Sequence, residues 1–125
     1  MPTPVLLLAA LFAEGSPEGR WTHPNGSVTV LISECGGAWC GTVVAATDKA
    51  KADAAKGGTK DLIGTQLMSG FTAAGEGKWK GRLFVPDINK RPRAELRLLD
   101  ANRLLVRGCM AGKVLCRSQT WTRAD

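Results

Sequence analysis

The sequence predicts an all-β domain, an antiparallel meander of about eight strands closed into a small barrel. Three observations carry this. Short apolar–polar alternations recur between residues 19 and 123, the period-2 signature of half-buried strands. The 15 glycines are spread along the chain and fall largely between those alternations, where turns are needed. No long stretch repeats its apolar residues at helical spacing.

A chain of 125 residues suits one domain. At this size a domain buries roughly two-thirds of the surface its unfolded chain exposes, so a real core is available. Residues 1–13, MPTPVLLLAALFA, read as a signal peptide. The apolar run is too short to span a bilayer, and Ala13 precedes the polar residues Glu14, Gly15 and Ser16, as at a cleavage site. The leader is atypical, because no Lys or Arg precedes the run. Residues 14–125 are then the barrel domain, placed in the periplasm or outside the cell. Four cysteines, an even number, fit the same oxidising compartment.

The strands follow in order. Gly19-Arg20-Trp21-Thr22 opens the series, and Asn25-Gly26 is a strong hairpin signal. SVTVLISE then alternates, with Val28, Val30 and Ile32 on one face. In CGGAWCGTVVAAT, a two-residue turn at Gly37-Ala38 would set Cys35 directly opposite Cys40 in a closely spaced pair. Residues 48–60, DKAKADAAKGGTK, are small and charged and have no apolar stripe. They read as a mobile surface loop with a helical turn at most. DLIGTQLMSGF suggests the next strand. GKWKGRLFVP turns Trp79, Leu83 and Val85 one way and Lys80, Arg82 and Phe84 the other, and Pro86 ends it. RAELRLLD puts Ala94, Leu96 and Leu98 on one face, and LLVRGCM and VLCRSQTWTR complete the set. A two-residue turn at Gly112-Lys113 would place Cys109 opposite Cys116, at a wider hydrogen-bonded pair.

Catalytic chemistry is sparse. His23 is the single histidine and sits beside Pro24 in a turn, so any Ser-His-Asp or Cys-His arrangement would have to be built around it. No Gly-rich phosphate loop precedes a helix, and no carboxylate pair stands out. No catalytic residue, metal or cofactor is therefore expected. Cys35-x4-Cys40 with Cys109-x6-Cys116 spaces its ligands too widely for a structural zinc site. Two local disulfides, Cys35–Cys40 and Cys109–Cys116, are the favoured reading, with cross pairings such as Cys40–Cys109 left open. The tryptophans Trp21, Trp39, Trp79 and Trp121 are dispersed, which favours core packing over base stacking and makes nucleic acid a weak expectation. Net charge is +6, with basic groupings in KWKGR and KRPR. Such charge bears on partners rather than on fold: a solvated surface, or attraction to an anionic envelope component.

Several motifs recur together in order: Gly19-Arg20-Trp21, Cys35 with Cys40-Gly41, Gly77-Lys78-Trp79-Lys80-Gly81, Arg107-Gly108-Cys109, and Gln119-Thr120-Trp121-Thr122-Arg123. This series resembles a family of small exported bacterial proteins known as domain of unknown function 2147. The resemblance implies a lipocalin-like barrel and export, and it supplies no catalytic residues. The lipocalin comparison also implies a job for Trp21, whose indole would be covered by Arg123 or Arg117 from the last strand. Trp21, Trp121 and Arg123 are then the residues of barrel closure. The function expected is binding of a small apolar or amphipathic ligand, with Trp79, Leu83 and Arg82 as the candidate contacts, or of an anionic envelope component. The alternative is an interaction protein with a filled barrel that docks a partner through its basic face; an unrecognised enzyme is third. No transmembrane segment is expected, and nothing in the sequence specifies an oligomeric state.

Overall fold

The computed structural model describes residues 15–110 and 115–124. The expected leader at residues 1–13 and the expected turn at Gly112-Lys113 lie outside the described residues. The elements are β1 (Gly19–Thr22), β2 (Val28–Cys35), β3 (Ala38–Ala46), α1 (Asp48–Lys56), β4 (Gln66–Ala73), β5 (Lys78–Leu83), β6 (Arg93–Asp100), β7 (Arg103–Met110) and β8 (Leu115–Arg123). Consecutive strands pair antiparallel, and β1 returns to pair with β8 through Trp21 and Arg123. The result is a closed eight-stranded barrel, joined between β1 and β8 through the pairs Trp21–Arg123 and Thr22–Thr122.

Strand alternation decides what lies inside. Trp21, Val30, Ile32, Phe71, Leu96 and Leu104 are each at most 1% exposed and form the centre of the core. The barrel's two ends differ. The turns after β2, β4 and β6 lie at one end together with the segment before β1. The connections after β1, β3 and β5 lie at the other, beside the end of β7 and the start of β8, and they are longer.

The β2–β3 turn corrects the expected register. Gly36 and Gly37 are the central residues, at φ +63° and +85°, and Cys35 pairs with Ala38 while Cys40 pairs with Ser33. A two-residue hairpin with positive φ at both centres accepts glycine readily. A Gly37-Ala38 turn would have placed a Cβ there instead. Cys35 and Cys40 therefore meet diagonally, not face to face, on one side of the ladder, with Cα atoms 6.0 Å apart, and are disulfide-bonded. Cys109 and Cys116 do lie directly opposite and are bonded. Their Cα atoms are 4.0 Å apart, which matches the close spacing of a non-hydrogen-bonded pair and not the wider pair expected.

Residues 48–60 were the second departure. Instead of a loop, Asp48–Lys56 form a regular helix. Thr47 caps it, its Oγ1 accepting from Ala50 N at 3.1 Å, an arrangement that satisfies an otherwise orphaned donor. Lys49 and Asp53 pair one turn apart at 2.9 Å. The helix buries little besides Ala54, which is why no apolar stripe announces it. The chain then reaches β4 through a turn that buries Leu62, so the strand begins at Gln66, later than DLIGTQ suggested.

Candidate functional site

The end of the barrel carrying the long connections opens into a cavity of about 770 Å³. Its rim comes from the β1–β2 loop, α1, residues 84–92 and the β7–β8 end. Ala54 and Leu62 roof part of it, while Leu67, Met68, Leu83 and Val106 supply apolar wall. A cavity of this size falls within the range that holds small molecules, roughly 300–1,000 Å³.

β8 contributes the polar side of the wall. Arg117, Gln119 and Trp121 alternate along the strand and all line the cavity, as period-2 geometry requires of residues on one face. Trp121 is 5% exposed and packs edge-on with His23, ring centroids 5.2 Å apart. Its indole Nε1 is enclosed without a hydrogen-bond partner among the described residues. The His23 ring is held by Nδ1, which accepts from Asn25 N at 3.1 Å. At the rim, the Lys49 ammonium is held above its ordinary pKa, first by its hydrogen bond to Asp53. The same bond holds the Asp53 carboxyl below its ordinary value.

The residues expected from sequence fall in three places. Leu83 lines the cavity. Trp79 is buried in the core, outside the cavity wall. Arg82 points outward and donates from Nη1 to Arg91 O at 3.2 Å. Parity separates Arg82 from Leu83, so the two could not share one interior face. Of the two arginines considered for Trp21, Arg123 covers it, with its guanidinium carbon 4.2 Å from the ring centroid. Arg123 also donates to Ala101 O at 2.6 Å and Glu18 O at 2.8 Å, and Trp21 Nε1 donates to Pro17 O at 2.8 Å. These contacts gather the β1 entry, the β6–β7 turn and β8 at the end opposite the cavity mouth. Arg117 instead faces the cavity, which sequence reasoning missed. The signal was present in the alternation Arg117, Gln119, Trp121 on one strand face.

A closed eight-stranded meander with one open end and an interior cavity is the architecture of a lipocalin-type barrel. The chain belongs to the family described as "Uncharacterized protein conserved in bacteria (DUF2147)", which it matches over residues 19–123. Among solved structures it is similar to HP1028, a protein from the human pathogen Helicobacter pylori described as belonging to the lipocalin family. That likeness has a TM-score of 0.68 at 13% identity, covering 88% of this chain and 84% of that one. No curated protein matches the chain in sequence.

Proposed function

We propose that the protein is a non-enzymatic binding protein of the bacterial envelope that holds a small amphipathic molecule in the barrel. The observation that carries this is the open cavity of about 770 Å³ with apolar wall on one side and the Arg117–Gln119–Trp121 column on the other. Apolar surface favours a hydrocarbon portion, at roughly 25 cal/mol per Å² removed from water. The polar column orients the rest of the ligand. A periplasmic or secreted location fits the apolar N-terminal run and the two disulfides.

The test is displacement of an environment-sensitive apolar dye, combined with native mass spectrometry of protein taken from its own envelope. Leu83→Trp places an indole in the cavity and should weaken dye binding at least tenfold while the barrel stays folded. Dye affinity unchanged by that substitution, together with no co-purifying mass, would sink the proposal.

A further inference from the structure

The outer wall of the barrel across β5, β6 and β7 plays no part in the cavity. Trp79, Leu96 and Val106 are buried, so strand parity turns Lys78, Lys80, Arg82, Arg93, Arg97 and Arg107 to the outside. Ladder register sets Lys78 opposite Arg97 and Arg82 opposite Arg93. One acid, Glu95, lies among them, opposite Lys80 and Arg107 and 3.7 Å from Arg97 Nη2. With Arg103, which strand parity also turns outward, and its partner Asp100, this wall holds seven of the chain's 17 basic residues and two of its 11 acids, leaving 10 basic and nine acidic residues elsewhere. Nearly all of the net charge of +6 sits on one side of the barrel.

Like charges directly opposite on a sheet are mutually destabilising. An array that concentrates them is matched by an anionic surface, which removes the repulsion on contact. We propose that this wall docks the protein on an anionic phospholipid surface. The cations form a two-dimensional field, roughly 10 Å across three strands and 13 Å along them from standard strand spacings. Lipid headgroups diffuse laterally to meet each cation, whereas a rigid acidic protein would need carboxylates already at the matching positions. Guanidinium groups bind phosphate oxygens in bidentate fashion. Single-stranded nucleic acid finds no stacking platform here, because Trp79 is buried and Phe84 lies under Arg91, 4.2 Å from guanidinium carbon to ring centroid.

The experiment is sedimentation of the full chain with phosphatidylglycerol–phosphatidylcholine vesicles and with pure phosphatidylcholine vesicles. Two triple variants with equal net charge are compared: Arg82→Glu, Arg93→Glu and Arg97→Glu on the wall, and Lys51→Glu, Lys56→Glu and Lys60→Glu away from it. Every protein keeps the apolar N-terminal run, so its own membrane affinity cancels. The wild type should bind the anionic vesicles, less so as salt rises. The wall variant should lose on the order of a hundredfold in affinity, about fivefold for each cation removed near a surface. The control variant should lose much less. Should the wall variant fail to fold, Arg82→Gln, Arg93→Gln and Arg97→Gln make the same comparison. Equal losses in the two variants, equal binding to neutral vesicles, or tighter binding to a DNA duplex or an acidic protein than to the vesicles would overturn the proposal. Dye displacement from the cavity should be unchanged in the pair Arg93→Glu and Arg97→Glu, which leaves the Arg82 bond to the rim intact and separates this inference from the cavity reading.

Discussion

Trp21 is where the two ends of the described barrel meet. It is fully buried, its N–H is bonded to Pro17 O, and Arg123 lies across its face. Trp21→Ala should lower stability by about 3–5 kcal/mol, the usual consequence of truncating a buried tryptophan. Arg123→Met keeps the packing and removes the charge; it should forfeit at least the cation–π contribution, about 0.5–2 kcal/mol. Thermal melts of the two variants check both numbers, and a melt unchanged in Trp21→Ala would remove Trp21 from barrel closure. Asp100 gives a pH dependence. Its carboxyl is held below the ordinary value of 3.8, first by the hydrogen bond from Arg103 and then by Asn102 N. A depressed carboxylate contributes stability that is complete above its unfolded pKa and is lost as pH falls through the folded one. Asp100→Asn should therefore flatten the acid side of the stability profile below about pH 4 and leave its slope at neutral pH unchanged.

Helix α1 and its contacts show how an element can depend on one position. A Cβ built on Gly57 would meet Pro86 O at 2.0 Å and Asp87 C at 2.7 Å. The helix end thus lies against the backbone of the β5–β6 connection, with no room for a side chain. Gly57→Ala should push the two apart, lower the melting temperature and alter dye affinity, because both segments form the cavity rim. Its φ of −82° is ordinary, so the effect would be steric and not conformational. On the outer wall, Lys78→Glu replaces a like-charge pair with Arg97 by an opposite-charge one. It should stabilise the barrel by about 0.2–1 kcal/mol, seen as a higher urea midpoint. The β-strands were legible because alternation is local: Val30, Ile32, Trp79 and Leu96 were all placed on the correct face. The helix was not, because it buries little besides Ala54 and so shows no apolar stripe.

Closure of the barrel makes the disulfides secondary. Each spans a short stretch, a sequence separation of 5 for Cys35–Cys40 and 7 for Cys109–Cys116. Short loops restrict the unfolded chain little, so each bond should contribute less than the typical ~2–4 kcal/mol. Reduction with dithiothreitol should lower the melting temperature by a few degrees while far-ultraviolet circular dichroism stays that of a folded barrel; collapse on reduction would show that the core alone is insufficient.

The amino-acid sequence by itself determined the strand count, the faces of most strands and the family, and it favoured the local cysteine pairing that the structure shows. All of these follow from short-range periodicity, turn chemistry or motifs read in order. The tertiary structure alone decided which end of the barrel stays open and that the strand face shared by Arg117, Gln119 and Trp121 lines the cavity there. It also decided that cations from β5, β6 and β7 share one wall. These properties depend on register between strands and on where the ring closes, which a one-dimensional pattern does not encode. Alternation assigns a side chain to a face, but only pairing between strands decides which faces become neighbours around the barrel.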